Sequence, residues 1–267
     1  MPKTTPVVLA VAAHPDDIEF MMAGTLIRLR EAGWALHYLN IANGSHGTAV
    51  DDHNTIVAKR TAEAKEACAV LGATFHDSLC NDLEVYHNYE MVAKVLAVVR
   101  GVRPRIVLAQ SPQDYMEEHM NACRLAVTAS FCRGMRNYLS IPPVPPVGDE
   151  VTIYHAMPYG LRGPLRERIR PGQYVDVTAT IPEKRRLLAC HRSQKEWLDQ
   201  SQGLDAYLDT MEGFARDVGK MSKRFRYAEG WRRRSHLGFS AADTDPLAEA
   251  LGQKCLTDRE YERALEA

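Results

Sequence analysis

The chain has 267 residues, of which 45% are hydrophobic and 25% are charged. This supplies one sizeable core, so we expect a single domain over 1–267, with a core at about 5–160 and a C-terminal elaboration at about 161–267. The formal net charge of −1 gives no general attraction for nucleic acid or for a membrane surface. No apolar run reaches the length of a transmembrane span, so no integral membrane segment is expected.

The six cysteines are scattered along the chain, and none forms a C-x-x-C pair. Their spacing matches neither a zinc knuckle nor a disulfide framework. We therefore expect reduced cysteines in a cytoplasmic protein.

Strands and helices alternate along the first part of the chain. Continuous apolar runs predict buried strands, and helical periodicity predicts the segments between them. The predicted strands lie at 7–13, 34–42, 73–79, 105–110 and 151–157, and the predicted helices at 18–32, 55–71, 89–102 and 118–132. This alternation is typical of an α/β fold with a doubly wound, mostly parallel sheet.

The pattern loosens in the later part of the chain. The proline-rich stretch 140–150 is expected to be a loop that covers the rim of the site. Further predictions are a strand at 174–178 and helices at 180–200, 203–217 and 244–266. The basic segment 220–236 also carries aromatic residues. With so little net charge we favour a solvated face, an oligomer contact or a lip for an anionic substrate over a nucleic-acid site.

The segment A-H-P-D-D follows directly after the first strand. Its proline restricts its own backbone and the residue before it, so the turn is stiff. A hydrolytic metal site needs three protein ligands, a place for water and a nearby base, and both imidazole and carboxylate bind zinc. His14 and either Asp16 or Asp17 can therefore bind a metal while the other aspartate acts as base. The alternative is that both aspartates only cap the following helix.

A third ligand is expected from another strand end, since ligands of doubly wound sheets bind at the carboxyl ends of the strands. The loop after the strand at 105–110 carries several acids and His119, which is the best candidate. We expect this loop, residues 14–17 and the N-G-S-H-G segment at 43–47 to converge on one rim. The acids in the loop also fit the first turn of a helix.

Taken together, these motifs resemble the PIG-L/LmbE-like family of metal-dependent N-deacetylases, which act on N-acetylglucosamine-containing lipids, thiol glycosides and related N-acyl substrates. The resemblance lies in the segments AAHPDDIEF, NGSHG, RTAEAKEACAVLG, SPQDYMEEHMNA and VDVTATIPEKRRLLACHRSQ. It implies a Rossmann-like sheet with a C-terminal helical and β elaboration. It also implies a cytoplasmic enzyme. Relatives are often multimers, so a homo-oligomer is one of the states that stay open for this chain.

The resemblance implies a role for each residue of the two motifs. His14, Asp17 and His119 resemble the metal ligands, and Asp16 resembles the general base that activates water. Arg60 begins an R-x-x-E pattern, which in the family places the arginine near the site, where it binds substrate or holds a carboxylate.

Arg60 has a second interpretation from its spacing alone. It can form an exposed ion pair with Glu63 on one helix face, worth only about 0.3 kcal/mol. The two interpretations stay open at this point.

The chain departs from the family at its second motif, which commonly reads H-P-D-H or H-x-D-H. Here the earlier histidine is Met116, which cannot donate a proton or a hydrogen bond. Glu118 can replace the aspartate. Losing such a stabiliser can cost on the order of 10²-fold in rate. Groups that can substitute for it are His46, Tyr115 and His155, and Asp114 can also face the substrate.

The resemblance therefore implies a zinc-dependent hydrolase of linear amide C–N bonds, acting on a small-molecule N-acetylated amino sugar or glycoside. The same ligands accept Fe²⁺, Co²⁺ or Mn²⁺. The alternatives are an amidase for another N-acyl or thiol-conjugate substrate and a metal-binding homologue with weakened catalysis, which Met116 favours. A dinucleotide cofactor is disfavoured because no G-x-G-x-x-G follows the first strand.

Overall fold

The computed structural model of the protein describes residues 5–195, 197 and 206–266. Its strands are β1 (Val7–Ala12), β2 (Ala35–Asn40), β3 (Thr74–His76), β4 (Ile106–Ala109), β5 (Thr152–Ala156), β6 (Gln173–Asp176), β7 (Ala228–Arg233) and β8 (Cys255–Thr257). Its helices are α1 (Asp17–Met21), α2 (Ala23–Glu31), α3 (His53–Leu71), α4 (Tyr89–Val102), α5 (Glu117–Cys132), α6 (Ile181–Leu188), α7 (Ala206–Ser222), α8 (Pro246–Leu251) and α9 (Arg259–Leu265).

The strands form one eight-stranded sheet in the order β3-β2-β1-β4-β5-β7-β6-β8. The first five strands along this order are parallel, and the three later strands of the chain join them through antiparallel pairs. The predicted α/β fold with a mostly parallel, Rossmann-like sheet is confirmed. The C-terminal part of the chain extends the same sheet.

Helices cover both faces of the sheet, and β1 contributes to the core on each side. Val8 and Ala10 pack into the apolar cluster that holds α2, whereas Leu9 and Val11 pack into the cluster that holds α4 and α5. Successive side chains of a strand point to opposite faces, so a strand covered on both sides is apolar at every position. This explains the continuous apolar run that predicts β1.

The helix predicted at 18–32 is interrupted at Met22, which gives α1 and α2 separate axes. The carboxylate of Glu229 in β7 accepts hydrogen bonds from the backbone N–H groups of Gly24 at 2.8 Å and Thr25 at 2.7 Å. A distant acid thus satisfies the free donors at the start of α2. A side chain at position 24 would overlap both Glu229 and Val177.

Two predictions for the C-terminal part are wrong. The basic segment 220–236 contains β7, whose Trp231 is fully buried, and the tail at 244–266 is divided by β8. Neither segment has the alternating apolar pattern that predicts a strand from the sequence. Each forms a strand because it pairs with neighbouring strands in the sheet. The helix predicted at 180–200 is interrupted after Leu188, and residues 192–195 and 197 are helical again. Residues 196 and 198–200 lie outside the described residues. Residues 203–205 of the next predicted helix also lie outside them.

The proline-rich loop at 140–150 does not cover the rim of the site. Arg103, which follows α4, forms an ion pair with Asp149 at 2.8 Å, and Arg100 donates to the carbonyl of Val144 at 3.0 Å. These contacts hold the loop at the amino ends of β4 and β5, the edge of the sheet opposite the predicted site. Within the described part of the chain, no helix has both the length and the hydropathy that a membrane span requires.

Removal of the buried ion pair between Lys184 of α6 and Glu229 of β7 tests how strongly it stabilises the packing of these two elements. The side chains of Lys184 and Glu229 are only 1% and 3% exposed. Lys184→Met leaves a buried carboxylate without its counter-charge, so we expect the free energy of unfolding to fall by about 3 kcal/mol in a urea titration. The control Lys220→Met removes an exposed ion pair with Asp217, and the free energy of unfolding should change by no more than about 0.5 kcal/mol. Equal losses in the two variants would contradict this account.

Candidate active site

The segments at 14–17, 43–47 and 111–119 meet at the carboxyl ends of β1, β2 and β4. They line a cavity of about 520 Å³, a size that suits a small-molecule ligand. Parallel strands end at the same edge, so loops that are distant in sequence become neighbours there.

His14, Asp17 and His119 lie together at the base of this cavity. One ligand atom from each lies within 4.8 Å of the others. His119 Nε2 is 3.4 Å from Asp17 Oδ1, and His14 Nδ1 is 3.5 Å from Asp17 Oδ2. Two imidazoles and one carboxylate are a ligand set found in catalytic zinc sites, so this group fits a divalent cation.

A second carboxylate holds each of the two histidine rings. Asp114 Oδ1 lies 3.0 Å from His119 Nδ1, and Glu118 Oε2 lies 3.1 Å from His14 Nε2. An acid on one ring nitrogen fixes the tautomer and leaves the other nitrogen available to a metal. Asp114 is buried behind His119, outside the set of described residues that line the cavity. The structure therefore places it behind a histidine and not on the described wall of the cavity.

The acids create a strongly negative environment around the two imidazoles. Burial opposes a charge on His14, but its hydrogen bonds with Asp17 and Glu118 outweigh burial and raise the pKa of His14 to about 10. Burial likewise disfavours the Asp17 carboxylate, but the charge of His119 and the hydrogen bonds from His14 lower the pKa of Asp17. The same field would attract a cation.

Asp16 lines the cavity beside this group and has an unusual backbone. Its φ of 105° lies in the left-handed region, which non-glycine residues rarely adopt and which often occurs at functional sites. Tyr207 donates to Asp16 Oδ2 at 2.6 Å, and Arg60 Nη2 lies 3.5 Å from Asp16 Oδ1. Burial raises the pKa of Asp16 and the charge of Asp17 adds to this rise, while Arg60 opposes it.

Arg60 faces the site, and within the described part of the chain it forms no hydrogen bond or ion pair with Glu63. Its guanidinium pairs with Asp16 and donates to the carbonyl of Pro15. Glu63 instead accepts hydrogen bonds from Ser193, at 2.9 Å from the backbone nitrogen and 2.6 Å from the hydroxyl. Of the two interpretations of the R-x-x-E pattern, the structure agrees with the arginine at the site.

The N-G-S-H-G loop makes room for this guanidinium. A Cβ atom at Gly44 or Gly47 would overlap the side chain of Arg60, and Gly44 has a φ of +80°. Asp82 holds the loop by accepting from the backbone nitrogens of Gly44 at 2.7 Å and His46 at 2.9 Å. The glycines are therefore required by close packing as well as by the turn.

The groups proposed to replace the missing histidine at Met116 lie in different places. His46 and Tyr115 line the cavity, and the Tyr115 ring meets the His119 ring edge to face at 5.7 Å. His155 is buried elsewhere, with Nδ1 3.1 Å from the carbonyl of Gln110, and it is not among the described residues that line the cavity.

Sequence reasoning missed Tyr207 and Asp82, which have no motif around them. Tyr207 lies 191 residues after Asp16 along the chain. His191, in the A-C-H-R-S-Q segment, is fully buried with Nε2 3.3 Å from Glu19 Oε2. The A-C-H-R-S-Q segment is the sequence motif that points to this part of the chain.

The fold and this site together define an α/β protein with a group of residues at the carboxyl edge of its sheet that could hold a metal ion. Residues 9–130 match the family described as PIG-L, GlcNAc-PI de-N-acetylase. This is the family that the motifs resemble, and the matched region contains His14, Asp17 and His119.

The chain is also similar to individual relatives. It is 29% identical over 236 residues to diacetylchitobiose deacetylase from Thermococcus kodakarensis, covering 84% of this chain and 82% of the relative. The structure of N,N'-diacetylchitobiose deacetylase from Pyrococcus horikoshii matches with a TM-score of 0.73 at 22% identity, covering 92% of this chain and 90% of the other.

A hydratase shares this fold. GalB, the 4-carboxy-2-hydroxymuconate hydratase from Pseudomonas putida, matches with a TM-score of 0.73 at 21% identity, covering 90% of this chain and 99% of the other. The fold by itself therefore does not choose the reaction, which has to be argued from the site.

Metal content tests the ligand group directly. We expect about one divalent cation per purified chain, measured by mass spectrometry of the elements, and loss of at least about 10-fold in affinity in His119→Ala. The control His53→Ala removes an exposed histidine at the start of α3 and should keep the metal. Equal metal content in all three proteins would exclude His119 as a ligand.

Proposed function

We propose that the protein is a metal-dependent N-deacetylase that removes the acetyl group from an N-acetylated amino sugar or a related glycoside. The observation that carries this proposal is the His14, Asp17 and His119 group beside Asp16 in one cavity. The family match and the relative named as a diacetylchitobiose deacetylase support the choice of substrate class.

A divalent cation, with zinc as the first choice, would be held by His14, Asp17 and His119 and would supply a Lewis acid that polarises the amide carbonyl and lowers the pKa of water. Asp114 and Glu118 keep the two imidazoles in the orientation that this requires.

Asp16 is the proposed general base. It accepts a proton from the attacking water and returns it to the leaving nitrogen, so that the amide and water become a carboxylate and an amine. Tyr207 and Arg60 hold one carboxylate oxygen each, which fixes the direction in which the proton is accepted.

The wall of the cavity suits a sugar with an acetyl group. Aromatic side chains supply flat apolar surfaces, and five of those that the structure describes line the cavity: Phe20, Tyr115, Tyr159, Trp197 and Tyr207. Met116 adds a flexible apolar contact next to them.

Acetate release from a panel of N-acetylated compounds tests the reaction. The panel contains N-acetylglucosamine, N,N'-diacetylchitobiose and an N-acetylated thiol conjugate, each assayed with the metal-loaded protein and after chelation. We expect metal-dependent acetate release from a sugar. Release from the thiol conjugate alone would favour the alternative amidase, and no release from a protein that binds metal would favour the homologue with weakened catalysis, to which Met116 points.

Asp16→Asn separates base catalysis from metal binding. Asparagine tolerates the left-handed backbone at this position and keeps the shape of the side chain. We expect kcat to fall by about 10²–10⁴-fold while metal content stays unchanged. The control Asp77→Asn changes an exposed acid, whose side chain is 84% exposed, and should be fully active. Full activity in Asp16→Asn would remove Asp16 from the role of base.

Tyr207→Phe tests how Asp16 is positioned. The variant loses only the hydroxyl, and the ring can still stack on Phe20 at 5.6 Å. Since a hydrogen bond to a charged group is lost, we expect kcat to fall by about 10-fold with KM unchanged. Tyr86→Phe, at an exposed tyrosine, is the control. A rise in KM at constant kcat would instead place the hydroxyl on the substrate.

A further inference from the structure

A second cavity, of about 380 Å³, lies on the C-terminal part of the sheet and shares no lining residue with the candidate active site. Arg168 and Arg170 from the segment before β6 line it together with Arg232 of β7. Among the described residues that line it, Glu260 is the only acidic one, so three guanidinium groups against one carboxylate leave a local charge of +2.

The three arginines are short of partners. The side chains of Arg168 and Arg170 are exposed and make no hydrogen bond or ion pair with any residue that the structure describes. Arg232 donates from Nη2 to the hydroxyl of Ser111 at 2.9 Å and from Nη1 to Gln113, but its Nε is buried and has no partner among the described residues. A buried donor without a partner costs free energy that a bound acceptor would recover.

Tetrahedral oxyanions match this arrangement. Guanidinium groups bind phosphate and sulfate through paired, charge-assisted hydrogen bonds, and like-charged side chains that converge on one cavity are relieved by an anion between them. Tyr261 of α9 also lines the cavity, with its ring packed against the backbone of Gly172. Its ring offers an apolar wall to the remainder of a ligand larger than the oxyanion.

We propose that this cavity binds a small molecule with a phosphate or sulfate group, held by Arg168, Arg170 and Arg232 and flanked by Tyr261. The site is separate from the proposed deacetylase chemistry and does not depend on it. Arg232 connects the two regions, because Ser111 and Gln113 belong to the loop that leads to Asp114.

Calorimetric titration of the full chain at constant ionic strength tests this site. The titrants are inorganic phosphate, sulfate and glucose 6-phosphate. We expect one saturable site per chain, with at least about 10-fold weaker binding in Arg168→Ala/Arg170→Ala. The control Arg136→Ala/Arg186→Ala removes the same charge from exposed arginines elsewhere and should bind as the unmodified protein does.

The outcomes separate the possible ligands. Equal affinity for phosphate and sulfate would assign the site to the oxyanion itself, and tighter binding of glucose 6-phosphate, weakened by Tyr261→Ala, would assign it to a phosphomonoester. Equal weakening in both double variants would mean a general charge effect and would overturn the proposal, as would the absence of saturation with all three titrants. Thermal unfolding of each variant verifies that it is folded.

Discussion

The carboxylate of Asp17 connects the two halves of the candidate site. Its Oδ2 accepts from the backbone of His14 at 2.7 Å, and its Oδ1 lies 3.4 Å from His119 Nε2. His14 follows β1 and His119 lies on α5, so one side chain fixes the distance between two elements that are far apart in sequence. Two other acids, Asp114 and Glu118, act around this link, each holding the far side of one imidazole. Concentrating so much negative charge in a buried place is unfavourable without cations or protons to balance it.

Segments beyond residue 160 hold the helices and side chains that form the site. Glu229 of β7 holds the start of α2, and Lys184 of α6 neutralises it. Because α2 follows α1 directly, this contact fixes the helix pair that begins at Asp17. Tyr207 of α7 reaches Asp16 from the same side. The C-terminal part of the chain therefore supports the helices at the site and contributes side chains, Tyr207 among them, to its cavity.

The convergence of the loops could be predicted from the sequence, because the carboxyl ends of parallel strands share one edge. The apolar run of β1 and the position of His14–Asp17 directly after it were enough for that prediction. Local signals also gave the helix that carries Arg60, but not which of its two partners the arginine takes. Arg60 contacts Asp16 because Gly44 and Gly47 leave space for it, and spacing along a helix carries no information about such space.

The sequence by itself determined the class of fold, the alternation of strands and helices along the first part of the chain, and the residue types at the strand ends, since these depend on local periodicity and on short motifs. Only the tertiary structure decided that Tyr207 holds Asp16, that Asp114 stands behind His119, and that β7 is a strand within a basic segment. Each of these depends on contacts between residues distant in the chain. Such contacts form through burial and hydrogen bonding in the folded protein. A pattern over a few neighbouring residues does not specify them.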